Sequence, residues 1–177
     1  MKETKQEITL NNLMEEFDKS THSLLSTISL FSKEQFNTIP FEGSWTAGQV
    51  CEHLFKAEAG YPGLLSGSKM PTDRPVDEKM AIVQSVFLDF TAKFQSPEFI
   101  IPSDTVKDNA AMLEAFKNNR EDVRRVINSI DMSETCTDFA LPQMGQLTGY
   151  EWICFLTCHS IRHTRQLNNI YAALNKQ

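Results

Sequence analysis

Apolar side chains recur every three or four positions along four long stretches of this 177-residue chain, the periodicity of helices that bury one face. The first stretch, residues 6–31, aligns Leu10, Leu13, Phe17, Thr21, Leu24, Ile28 and Phe31 in one stripe and leaves Glu, Lys, Asn and Ser outside. Ser32 to Gln35 reads as the start of a short helical turn, and Pro40 and Gly43 close that connection. The second stretch opens at Thr46-Ala47-Gly48-Gln49, a capping-box spacing in which the Thr and Gln side chains each satisfy an orphan backbone N–H. Its stripe runs through Val50, His53, Leu54 and Ala57, and Gly60-Tyr61-Pro62-Gly63 is expected to end it.

The third stretch, residues 104–130, carries Leu113, Phe116, Arg120, Val123, Val126 or Ile127, and Ile130 at helical spacing. The fourth begins with a second capping box, Thr148-Gly149-Tyr150-Glu151, and ends near Leu174. Residues 66–102 hold four of the seven prolines and one amphipathic stretch, residues 77–94, expected to form a subsidiary helix. A connection of that length can return the chain from one end of a bundle to the other, so the helices it joins can run parallel; short loops force antiparallel neighbours. The pattern predicts an all-α protein: one domain over residues 1–177, a four-helix bundle with a long crossover between helices two and three, and one short extra helix.

Composition strengthens the helical reading. Seven Gly and seven Pro make 14 turn residues, where average usage of about 12% would give roughly 21. A net charge of −6 and no basic run longer than Arg124-Arg125 leave no electrostatic footprint for a nucleic-acid partner. No window approaches the ~18 apolar residues of a membrane span, and the charged N-terminal residues 1–7 lack a signal-peptide core, so a cytoplasmic protein with no membrane partner is expected. Cys51, Cys136, Cys154 and Cys158 form no CxxC and are expected to be buried, reduced thiols.

The chemistry concentrates in the fourth stretch. Its inward stripe reads Trp152, Leu156, His159, His163, Gln166 or Leu167, Ile170 and Leu174, with two histidines where leucines would complete a core. At four residues apart both imidazoles can reach a single metal ion at about 2.0–2.1 Å. His53 occupies the equivalent stripe of the second stretch, and three inward histidines from two helices form a set with coordination positions left open for water or substrate. The alternative is that each is a core histidine hydrogen-bonded to a neighbour. Spacing alone does not establish that the two stripes meet at one depth.

Two runs carry a family resemblance. Trp45-Thr46-Ala47-Gly48-Gln49-Val50-Cys51-Glu52-His53-Leu54 and His159-Ser160-Ile161-Arg162-His163-Thr164-Arg165-Gln166-Leu167 resemble the two signatures of the DinB/YfiT-like superfamily of metal-dependent enzymes. The resemblance spans nearly the whole chain in order and spacing. It implies an up-down-down-up four-helix bundle with His53, His159 and His163 as ligands of one divalent transition metal ion. Three neutral nitrogens suit Zn²⁺, Ni²⁺, Co²⁺ or Fe²⁺, and the resemblance favours zinc or nickel.

Gln166, one turn beyond His163, is the candidate to support a ligand from behind, with a surface amide as the alternative. Arg162 sits roughly 100° off the site stripe, where a rim ion pair is expected rather than an anion-holding role. Trp45 is expected to be a structural anchor. His22 is expected to lie semi-exposed at its stripe's edge, and Cys51 and Cys158 point away from the site. No carboxylate shares the histidines' face: Glu52 and Glu58 fall roughly 100° and 140° from His53, and Glu151 lies more than two turns before His159. A metal-held water would lack a general base, which leaves two chemistries on a small-molecule substrate: hydrolysis, or transfer of a low-molecular-weight thiol as in the thiol-transferase branch of the resembling family. A reading from another class is a non-catalytic dimerisation or binding module, with Ile153, Cys154 and Phe155 as the face for a homodimer and a structural or vestigial metal. A DNA-associated role suggested by the superfamily's name is opposed by the acidic charge.

Overall fold

Two capping boxes start the helices that matter most for the site. Thr46 accepts from the Gln49 amide at 3.1 Å while Gln49 accepts from the Thr46 amide at 3.0 Å, and Thr148 and Glu151 repeat the exchange at 3.2 and 3.0 Å. The computed structural model describes the backbone of residues 5–176 and the side chains of residues 10–176; residues 1–4 of the charged N-terminal stretch lie outside it. Four long or middling helices, α1 (Lys5–Ile28), α3 (Ala47–Glu58), α6 (Asn109–Ile127) and α7 (Gly149–Leu174), form the bundle. Between them stand α2 (Lys33–Phe36), α4 (Tyr61–Ser66), α5 (Met80–Phe87) and a 3₁₀ turn, Glu98–Ile100.

The core has two layers. One joins Leu13 and Phe17 of α1 to Tyr61, Val123, Ile127, Trp152 and Leu156. The other joins Leu24 and Ile28 of α1 to Val50, Leu54, Phe116, Leu167 and Ile170. Helices α1 and α7 therefore run from the first layer to the second, and α3 and α6 run from the second toward the first. The long connection between α3 and α6 brings the chain back across the bundle, and α5 within it packs along α7.

Several elements differ from the periodicity. Pro62 does not end a helix but stands in the first turn of a new one, α4, where its missing N–H has no helical acceptor to lose. The subsidiary helix stops at Phe87 rather than residue 94, because Asp89 accepts from the Thr91 amide and hydroxyl at 3.0 and 2.6 Å and turns the chain out of the helix. The third bundle helix begins at Asn109 rather than 104. Asn37 brackets the Lys107 backbone, accepting from its N–H at 2.7 Å and donating to its carbonyl at 2.9 Å, and Asp108 then caps the helix. A two-residue antiparallel ladder, β1 (Lys69–Met70) with β2 (Thr135–Cys136), has no counterpart in the pattern.

Charged groups off the site are paired inside the bundle. Glu58 is fully buried and takes two hydrogen bonds from Arg120, at 2.9 and 2.6 Å. Arg74 makes a two-pronged contact to buried Glu151 at 2.6 and 2.7 Å. The four cysteines are free and buried. Ile153, Cys154 and Phe155 are buried as well, so the face expected to serve a homodimer is covered by the chain itself. Among the described residues no helix is long and apolar enough to cross a membrane.

Candidate metal centre

Helix α7 presents His159 and His163 one turn apart, and α3 brings His53 to the same depth. One ring nitrogen from each of the three lies within 4.8 Å of the others, and all three residues are buried. The His163 and His159 Nε2 atoms are 3.0 Å apart. No fourth His, Cys, Asp or Glu joins the group among the described residues.

Two imidazoles are aimed from behind. His53 Nδ1 lies 3.0 Å from the Ile100 carbonyl in the 3₁₀ turn, and His163 Nδ1 lies 2.9 Å from Gln166 Oε1. Both acceptors call for the proton on Nδ1, which leaves the lone pair on Nε2 of each ring, and His163 turns its Nε2 toward His159 Nε2. His159 is held by packing: its ring stacks on Phe155 at 5.4 Å and meets the edge of Phe87 at 6.1 Å. Burial pushes all three histidines down, His163 to about 3, and the mutual repulsion of the rings adds to this for His159 and His163. The rings are neutral at neutral pH, the form that ligates metal. Three converging ring nitrogens, two of them on rings whose tautomer a fixed acceptor sets, fit a divalent transition metal.

The triad lines a cavity of about 1210 Å³ between α3, α7 and the crossover. Trp45, expected to be an anchor, forms part of that wall, with its ring 5.2 Å from His53. Arg162 is not in a rim ion pair. Its guanidinium donates to the carbonyls of Phe87 and Asp89, at 3.3 and 2.8 Å, and to that of Ala92, and it lies 4.7 Å above the Phe94 ring. His22 is exposed on α1 and stands apart from the group. Glu52 faces Lys56 and Lys107 at 3.0 and 2.6 Å, and among the described residues no carboxylate lines the cavity. The Ile100 carbonyl and the Phe87 edge had no signal in the sequence, since a backbone acceptor or a crossover phenylalanine carries no spacing that points to a distant histidine.

The solved structure of YfiT from Bacillus subtilis, described as a probable metal-dependent hydrolase with an unusual four-helix bundle topology, shares the fold. It matches with a TM-score of 0.60 at 15% identity, covering 99% of this chain and 91% of YfiT. YuaE, an uncharacterized protein of Bacillus subtilis, is 24% identical over 139 residues, 78% of this chain and 85% of YuaE. The profile of the DinB superfamily matches residues 16–167, from within α1 through both histidine motifs to the middle of α7, and the chain belongs to that superfamily.

Proposed function

We propose that the chain is a metal-dependent enzyme in which His53, His159 and His163 hold one divalent ion, zinc or nickel, and which transfers a low-molecular-weight thiol to a small electrophilic substrate. The observation that carries this reading is the convergence of three neutral imidazoles on the wall of a cavity with no fourth protein ligand among the described residues. A closed structural site would instead use all its positions on protein groups. A bound ion there supplies Lewis acidity and lowers the pKa of a thiol or water that it holds.

The chain's own residues orient and enclose. Ile100 and Gln166 fix the tautomers of His53 and His163, and Phe155 and Phe87 fix the ring plane of His159. Thiol transfer is favoured over hydrolysis because no carboxylate among the described residues lines the cavity to serve as a base for water. In that reaction the sulfur forms a bond to the electrophilic carbon, the leaving group departs with its bonding pair, and the thiol proton goes to solvent. Hydrolysis is the second reading, favoured by the description of YfiT.

Elemental analysis of the purified protein tests the site. About one zinc or nickel per chain is expected, and His159→Ala should lose it while keeping its helical circular dichroism; equal metal in both proteins would remove the site. Glutathione or cysteine with 1-chloro-2,4-dinitrobenzene then separates the chemistries. Metal-dependent S-arylation above the His159→Ala background is expected, and metal-dependent hydrolysis of 4-nitrophenyl acetate without it would put the second reading first.

A further inference from the structure

The cavity has a charge of its own, opposite to that of the protein. The chain carries a net charge of −6, yet the cavity wall contains Lys56, Lys93, Arg162 and Arg165 and no Asp or Glu among the described residues. Two of these cations are compensated in place. Lys56 pairs with Glu52 at 3.0 Å, and Arg162 is occupied by three backbone carbonyls. The other two stand at the exposed rim. Arg165 lies 4.6 Å above the Phe90 ring, and neither it nor Lys93 has a carboxylate within ion-pairing distance among the described residues.

The same rim is apolar to an unusual degree. Six of the eleven large apolar side chains that stand exposed among the described residues, Phe41, Phe90, Phe94, Phe99, Ile101 and Phe139, belong to this one cavity. Exposed apolar surface gathered in one place marks a binding site, and the volume accommodates a ligand of several hundred Å³. A wholly polar ligand would leave these rings wet, and a cationic one would meet two unpaired positive charges.

We propose that the cavity selects organic anions with an aromatic or extended apolar body, the body lying on the phenylalanines of the rim and the anionic group facing Lys93 and Arg165. This deepens the reading above by naming the substrate class, and rests on it only in taking the cavity as the place where substrate binds.

Three aryl bromides of similar size test the selection on the purified full chain: 4-bromophenylacetate, 4-bromophenylacetamide and 4-bromobenzylamine. Bromine quenches tryptophan on contact, and both tryptophans of the chain, Trp45 and Trp152, line the cavity. The acid should bind about fivefold tighter than the amide at low salt, and the amine weakest of the three. The advantage should shrink toward none at about 0.5 M salt. Lys93→Gln/Arg165→Gln, at two exposed positions, should abolish the advantage and leave the amide's constant unchanged. An acid no tighter than its amide, an advantage that survives the double substitution, or no quenching by any of the three would overturn the proposal.

Repeating the titrations in His159→Ala separates this from the metal reading. If His159→Ala retains its metal content and the charge preference persists in both proteins, the metal assignment fails and the anion selection stands. If the preference disappears in His159→Ala together with the metal, the preference belongs to the ion and this proposal fails.

Discussion

A histidine ligates metal only as the neutral ring with its lone pair turned to the ion, and in this protein each of the three rings is held by a different device. Burial keeps them neutral; a backbone carbonyl orients His53, a side-chain amide orients His163, and ring packing orients His159. Gln166 meets His163 Nδ1 and also lines the cavity. Gln166→Leu should weaken metal affinity about 10- to 100-fold, measured by competition with a chromophoric chelator, with little change in the urea midpoint; unchanged affinity would return Gln166 to a bystander amide. The i, i+4 spacing of His159 and His163 was readable because a helix places such residues on one face. Their meeting with His53 was not, because it depends on how far α3 slides along α7.

At the scale of elements, the crossover decides what the bundle leaves open. Its 3₁₀ turn supplies the Ile100 carbonyl, and the segment after α5 supplies the Phe94 and Lys93 side of the cavity. Arg162 fastens that segment by three carbonyls that a longer α5 would have used itself, one physical reason the helix ends at Phe87 and not at residue 94. A hydrogen bond to a charged group contributes about 1.5–3 kcal/mol, so Arg162→Ala should release the segment locally. Tryptic cleavage after Lys93 should quicken at least about tenfold while α7 keeps its helicity. Cleavage at the wild-type rate would show that the segment holds without the arginine. The sequence placed the crossover by its prolines, and its internal boundaries combine local turns at Asp89 and Asp108 with tertiary partners, Arg162 at one end and Asn37 at the other.

On the scale of the whole molecule, buried and half-buried ion pairs tie the crossover to the bundle. Burial raises the Glu52 pKa, but Lys107, Lys56 and Ser103 outweigh it and pull the group from its ordinary 4.5 to about 2. The unfolded chain takes up this proton at higher pH than the folded one. Glu52 therefore stabilises the protein above pH 4.5 and loses that contribution as pH falls toward about 2. Glu52→Gln should lower stability at pH 7 by about 1 kcal/mol and flatten the acid limb of the urea midpoint against pH; an unchanged acid limb would assign that limb to other carboxylates.

By itself the sequence determined the helical class, the two capped helix starts, the crossover and the faces on which the three histidines lie. Each of these is written in local spacing, where period and capping chemistry act within a few residues. Tertiary structure alone decided that the histidines share one depth, that a backbone carbonyl and a phenylalanine edge steady them, and that Ile153, Cys154 and Phe155 are covered rather than offered to a partner. It also gathered basic and aromatic residues from distant parts of an acidic chain onto one cavity. Such contacts join residues tens of positions apart, and helical periodicity fixes which face a residue occupies without fixing what will face it.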